Sequence, residues 1–224
     1  FTPLSEILHK DLIDLLRTYY FIGGMPEAVS HFSETENHHD VREIHQEIIN
    51  AYILDFARQA PASDIPKRMH IWDSIPKHLA GENNKFKFST VKSGARAREY
   101  ENAMTWLEDA GLIYRVCSVE NSRYPLQYYA DRSAFKIYVL DVGLLGAMAG
   151  LPVDILAQGT RIFNEYEGAL VENYVAQQLI SAGQNELYYW RSKGVTAKLD
   201  FLYETGEHII PLEVKASVNS KSKR

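Results

Sequence analysis

Apolar residues recur every three or four positions between residues 4 and 20, at Leu4, Ile7, Leu8, Leu12, Leu15, Leu16 and Tyr19, which is the spacing of one helix face. The pattern predicts an amphipathic helix ending at Gly23-Gly24-Met25-Pro26. There the glycines permit left-handed backbone and Pro26 drives Met25 to extended geometry, so a tight connector is expected. After a polar stretch over 33–40, Val41, Ile44, Ile48, Ile49, Tyr52 and Phe56 carry a second helix over about 39–58. Pro61, Pro66 and Pro76 punctuate shorter helices, with Ser63 or Asp64 as an N-cap near Pro66. A helix over 97–110 closed by Gly111, a strand over 112–119, a polar loop over 121–132 and a strand over 135–140 give the element order of a winged helix. In the last third a helix over 164–182 precedes strands at 187–191, 199–203 and 208–216, and Gly150, Pro152 and Gly159 break the periodicity ahead of it. The predicted class is mixed α/β: a helical connector over 1–60, a winged-helix-like domain over 61–150 and a smaller α/β domain over 151–224.

The composition supports a folded core, with 46% hydrophobic and 24% charged residues in 224. Cys117 is the single cysteine and cannot form an internal disulfide, and no secretory leader is visible, so a cytoplasmic protein is expected. The most apolar stretch, 137–152, is interrupted by Asp141 and small residues, which predicts no membrane span. A net charge of −5 and a pI near 5.9 argue against nucleic-acid attraction over the whole surface but leave room for local basic patches. Neither G-x-x-x-x-G-K-[ST] nor G-x-G-x-x-G occurs, so no nucleotide site of those kinds is expected. The missing initiator methionine and the Ser-Lys-Ser-Lys-Arg end suggest a piece of a longer protein.

The chemistry concentrates in residues 198–215. With Thr205-Gly206 as a two-residue turn, Glu204 faces Glu207 and Asp200 faces Pro211. Strand alternation then puts Leu199, Phe201 and Tyr203 with Ile210, Leu212 and Val214 on an apolar face, and Lys198, Asp200, Glu213 and Lys215 on the other. Asp200 and Glu213 become diagonal neighbours, with β-carbons roughly 7–8 Å apart. Two such carboxylates suit one hard divalent cation, Mg2+ or Mn2+, and Lys215 would steady an attacking water or developing charge in phosphodiester hydrolysis. For an isolated E-x-K, charge pairing on a solvated strand face is by far the commoner arrangement.

Several motifs together resemble a known arrangement. Gly-Gly-Met-Pro-Glu (23–27), Trp-Leu-Glu-Asp-Ala-Gly-Leu-Ile (106–113), Asp-Val-Gly-Leu-Leu (141–145), Gly-Ala-Leu-Val-Glu-Asn (168–173), Tyr-Tyr-Trp-Arg-Ser (188–192), Leu-Asp-Phe-Leu (199–202) and the run 209–217 ending in Leu-Glu-Val-Lys-Ala-Ser stand in the order and spacing of a C-terminal module of unknown function. That module follows many bacterial and archaeal AAA-type ATPase domains. The resemblance implies that an ATPase domain precedes Phe1 and that the last part is similar to the PD-(D/E)xK restriction-endonuclease core. It also implies that a helix glutamate joins the strand residues, making the catalytic set Glu172, Asp200, Glu213 and Lys215, with Asp200 and Glu213 on the metal. The sequence departs from the pattern at Lys198, where the family usually carries glutamate; in the predicted register Lys198 faces Glu213 and competes with a metal for it.

Lys85, Lys87, Lys92, Arg96 and Arg98 form a cationic run leading into the helix at 97–110, the composition that phosphate contacts require, and Asn102 and Thr105 could reach base edges from it. Arg191, Lys193 and Lys198, with Lys215, Lys221, Lys223 and Arg224, form a second group near the proposed active face, the stronger of the two. His38, His39 and His45 lack the cysteines or H-E-x-x-H spacing of a zinc site. The expected function is nucleic-acid engagement, with DNA or another nucleic acid as partner, coupled to the protein's own ATPase domain. Metal-dependent phosphodiester cleavage is the activity the site would carry. The alternative is a catalytically inactive protein-interaction or assembly module, homo-oligomeric or otherwise, and a DNA-binding domain with a decayed nuclease core lies between the two.

Overall fold

The computed structural model describes residues 5–58, 61–81, 84–153, 161–184, 186–192 and 197–215, with the side chains of 161–165 set aside. The class is mixed α/β, a helical N-terminal part followed by a five-stranded mixed sheet. Helix α1 (Glu6–Ile22) opens on an N-cap at Ser5, whose hydroxyl accepts from the Leu8 amide, and ends at Gly23 with φ +72°. Only its last turn is buried, at Tyr20, Phe21 and Ile22; the apolar stripe at Ile7, Leu8, Leu12 and Leu15 faces solvent. The expected connector is in part a helix, α2 (Pro26–Thr35), because Pro26 sits at the first helical position, where its missing N–H costs nothing. Helix α3 (His38–Arg58) follows the predicted pattern. Pro76, expected to end a helix, instead lies inside α4 (Ile65–Leu79).

After the short α5 (Phe88–Val91), helix α6 (Ala97–Asp109) buries Tyr100, Ala103, Met104 and Leu107, the i, i+3, i+4, i+7 face, and stops before Gly111 at φ +69°. Strands β1 (Ile113–Val119) and β2 (Ala130–Val139) pair antiparallel as expected, with a bulge beside Cys117. These two strands do not stand apart as a wing. β1 pairs in parallel with β3 (Tyr188–Arg191), and β4 (Lys198–Thr205) and β5 (His208–Leu212) complete a sheet of order β2-β1-β3-β4-β5. The sheet therefore crosses residues 150–159, where the sequence suggests a boundary, though 154–160 lie outside the described residues.

Helices α4 and α6 pack on β2 and β1, and two further helices join the helical part to the sheet. Helix α7 (Val142–Met148) is buried from Val142 to Ala147 and lies against α1 and α3, while α8 (Arg161–Ser181) packs on α7 and β2. The α1–α7 junction is built on glycines: a Cβ on Gly143 would stand 2.5 Å from the Ile22 carbonyl oxygen, and one on Gly23 would stand 2.1 Å from Asp141 Oδ1. Asp141 caps α7 through Leu144 N and also accepts from Gly24 N at 2.6 Å, so two sequence motifs distant in the chain meet there. One apolar core runs from α1 to Phe201, and a smaller cluster of Val119, Leu126, Tyr188 and Leu202 lies elsewhere on the sheet.

Candidate functional site

The β4–β5 hairpin turns at Gly206-Glu207, one residue later than expected, with Thr205 opposite His208, Tyr203 opposite Ile210 and Phe201 opposite Leu212. Gly206 at φ +60° occupies the first loop position, which a type II′ turn reserves for glycine. The turn shift changes the partners, and a bulge in β4 moves Leu199 off the Phe201 and Tyr203 face to pack with Leu202 and Ile209. Continued one step beyond Leu212, the register carries Asp200 to Glu213, and Lys198 no longer faces Glu213. Instead Lys198 Nζ stands 3.3 Å from Asp200 Oδ1, so the lysine expected to compete for Glu213 is engaged with Asp200. β4 also advances three residues for two of β3 between Leu199 and Leu202, a bulge that re-aims the strand around Asp200.

Glu172 comes to the same place from α8. The next residue, Asn173, brackets Val139 of β2, its Oδ1 accepting from Val139 N at 2.8 Å and its Nδ2 donating to Val139 O at 3.1 Å. That docking sets Glu172 beside Lys136 and Tyr138, which share one face of β2 because strand side chains alternate. Glu172 Oε1 accepts from Lys136 Nζ at 2.5 Å and from the Tyr138 hydroxyl, and Oε2 accepts from Asn84 Nδ2 at 2.6 Å. Burial, followed by the charge of Glu172, holds the Tyr138 hydroxyl well above its ordinary pKa, so it remains a protonated donor. Lys136 Nζ also stands 3.7 Å from Asp200 Oδ1, and Asp200 Oδ2 accepts from Val214 N at 3.0 Å. The side chains of Lys136, Glu172 and Asp200 are 5%, 8% and 4% exposed, a buried ionic cluster fed from β2, α8 and β4.

The structure thus brings two of the four expected catalytic residues, Glu172 and Asp200, to one buried cluster. Glu213 and Lys215 follow the end of β5, flank the Val214 amide that touches Asp200, and are 54% and 58% exposed, with Lys215 Nζ 3.5 Å from Glu213 Oε1. As arranged, the cluster does not fit a divalent cation. Lys136 bridges the two carboxylates where such an ion would stand, Lys198 supplies a second ammonium, and two positive charges meet two negative ones. Among the described residues no group of three or more His, Cys, Asp or Glu is placed to hold a metal. His45 is instead buried with Nε2 donating to the Ile22 carbonyl at 2.8 Å, and His38 packs edgewise on Phe21 and Phe32.

Sequence reasoning missed Lys136, Tyr138 and Asn84. A signal for Lys136 exists: one lysine in the otherwise apolar Ala-Phe-Lys-Ile-Tyr-Val run of a strand is a residue that is almost never buried unless paired.

The basic residues divide between two clefts. Lys85 lines one of about 210 Å3 with Lys136, Arg191 and Lys198, whereas Lys92 and Arg98 line one of about 560 Å3 with Lys67, His70 and Asn102. Lys87 and Arg96 are exposed beside them, and Arg96 N donates to Glu99 Oε2 at 3.4 Å as α6 begins. Thr105 faces a different cleft from Asn102. Glu101 and Glu108 on the same helix are drawn to Arg115 of β1 at 3.0 and 2.5 Å. Lys193, Lys221, Lys223 and Arg224 lie outside the described residues. No helix among the described residues is long and apolar enough to cross a membrane.

No curated protein and no solved structure matches the chain. Residues 167–224, which carry Glu172, Asp200, Glu213 and Lys215, match a domain of unknown function, DUF4143. Residues 13–154, which supply Lys136 and Tyr138, match another. Because that second match spans well over half of its length, the chain belongs to the family described as domain of unknown function DUF8612.

Proposed function

We propose that this chain is a nucleic-acid-binding module with a restriction-endonuclease-like part, working beside an AAA-type ATPase domain, in which the nuclease-like carboxylates hold the fold together and do not cut. The observation that carries the reading is the position of Lys136 Nζ between Glu172 Oε1 and Asp200 Oδ1. A constellation that supplies its own cation has no need of magnesium or manganese, and removing either charge from such a cluster is costly. Support for nucleic acid comes from the four cationic side chains gathered around the smaller cleft and from Lys92, Arg98 and Lys67 around the larger. Support for the ATPase partner comes from the matched domain DUF4143, which commonly follows AAA ATPase domains.

The test combines fluorescence anisotropy on duplex and single-stranded oligonucleotides over a salt series with Mg2+ and Mn2+ calorimetry and cleavage assays. Expected are salt-dependent binding, no site-specific metal uptake and no cleavage. Cleavage lost in both Asp200→Ala and Glu213→Ala would make the chain a nuclease; no binding even at low salt would remove nucleic acid from the reading. The exposed apolar stripe of α1 favours one second reading, an assembly module docking through that helix. In that case Leu15→Glu abolishes association with the ATPase portion in a pull-down.

A further inference from the structure

The cleft between β2, β3 and β4 contains an arrangement that a strand ladder ordinarily avoids. Arg191 of β3 and Lys198 of β4 are directly opposite each other in the antiparallel register. Like charges in that relation destabilise the pair they join. Two more cations, Lys85 and Lys136, converge on the same cleft, and Ser118 and Ser192 add hydroxyl groups to its lining. Below it, Glu172 and Asp200 engage Lys136 and Lys198, but among the described residues Lys85 and Arg191 have no ionic partner. Asp131, on the Tyr189 side, accepts at Oδ1 from the amide and hydroxyl of Ser133 at 2.9 and 2.6 Å. Positive charge is therefore left facing a concavity of about 210 Å3, smaller than the roughly 300 Å3 at which pockets for drug-sized ligands begin, so the space suits a small anion better than a base or nucleoside.

We infer that this cleft is a phosphate seat: the Arg191 guanidinium forks onto two phosphate oxygens, Lys85 and Lys198 close on the others, and buried Lys136 contributes field from beneath. In the function proposed above, on which this assignment of source rests, the phosphate is one of a nucleic-acid backbone. Bound there, it relieves the Arg191–Lys198 repulsion and anchors the strand where a nuclease-like site would face it.

The test uses the full chain and Lys85→Gln/Arg191→Gln, both positions exposed and without an ionic partner among the described residues, so the fold is retained; circular dichroism checks this. Pyrophosphate calorimetry is run beside oligonucleotide anisotropy across a salt series. The native chain is expected to bind pyrophosphate, the double variant at least tenfold more weakly. The slope of log affinity against log salt should fall by about 1.4–1.8 for the two lost contacts. Oligonucleotide binding with an unchanged slope in the variant overturns the seat while leaving nucleic-acid engagement standing. Pyrophosphate binding lost in the variant, with no oligonucleotide binding at low salt, upholds the seat for a free phosphate compound and overturns the nucleic-acid reading. Binding of neither overturns both.

Discussion

Lys136 is a buried cation between two buried carboxylates, held in place because α8 and β2 are clamped through Asn173. Removing it leaves Glu172 and Asp200 short of a counter-charge in a place water cannot reach. Lys136→Ala should therefore lose about 3–5 kcal/mol of stability, read from the urea midpoint. The same variant opens the gap between the carboxylates, so Mn2+ should restore part of the loss in Lys136→Ala and leave the native chain unaffected; equal responses to Mn2+ would sink the assignment of Lys136 as a built-in cation. A second buried group acts through pH. Burial lowers the pKa of His45, outweighing the Ile22 carbonyl contact, which raises it. The unfolded chain then takes the proton more readily than the fold, so this contribution to stability is complete above the unfolded value of 6.5 and drains away as pH falls below it, until the folded group titrates. His45→Gln keeps a donor for Ile22 and cannot titrate. Its urea midpoint should fall less than that of the native chain between pH 7 and pH 5.

At the scale of elements, glycines set how closely α1 and α7 approach. A Cβ on Gly23 would collide with Asp141 while adopting a positive φ, whereas one on Gly111 meets nothing within 4 Å. Gly23→Ala should thus cost about 2–4 kcal/mol, overpacking added to backbone strain, and Gly111→Ala only the strain of about 1–2 kcal/mol, both measured by denaturant unfolding. The sequence makes α1, α3, α6, α8 and the five strands legible because their apolar periods are regular. It does not make α2 legible, since a proline at the first helical position reads as a break, nor α7, whose 142–148 run is apolar all round and has no period to detect. The hairpin turn is legible only to within one residue because Thr205-Gly206 and Gly206-Glu207 are both acceptable turns, and the ladder with β3 and the Val214–Asp200 contact distinguish them. Of the site, Asp200 and Glu172 could be read; Lys136 belongs to a strand more than sixty residues before Asp200, and no local spacing links them.

For the molecule as a whole, the parallel pairing of β1 with β3 is the feature without a local signal, since its partners are about seventy residues apart. It makes the two matched families share one sheet, and a core continuous from Tyr20 to Phe201 joins them further. Unfolding should accordingly be one event. Fluorescence from Trp190 in a Trp72→Phe/Trp106→Phe variant, reporting on the sheet, should give the same urea midpoint as helix content by circular dichroism, and two separated midpoints would show independent domains. The outer strands add a last consequence. Pro211, opposite Leu202 in β5, has no N–H to offer on the open side of the sheet, and at the other margin the Phe86 amide already donates to the Phe135 carbonyl of β2. Each margin is thus denied part of the hydrogen-bonding template that a foreign strand needs, so crowding and prolonged storage should drive self-association through the exposed leucines of α1 rather than through fibril-like strand addition.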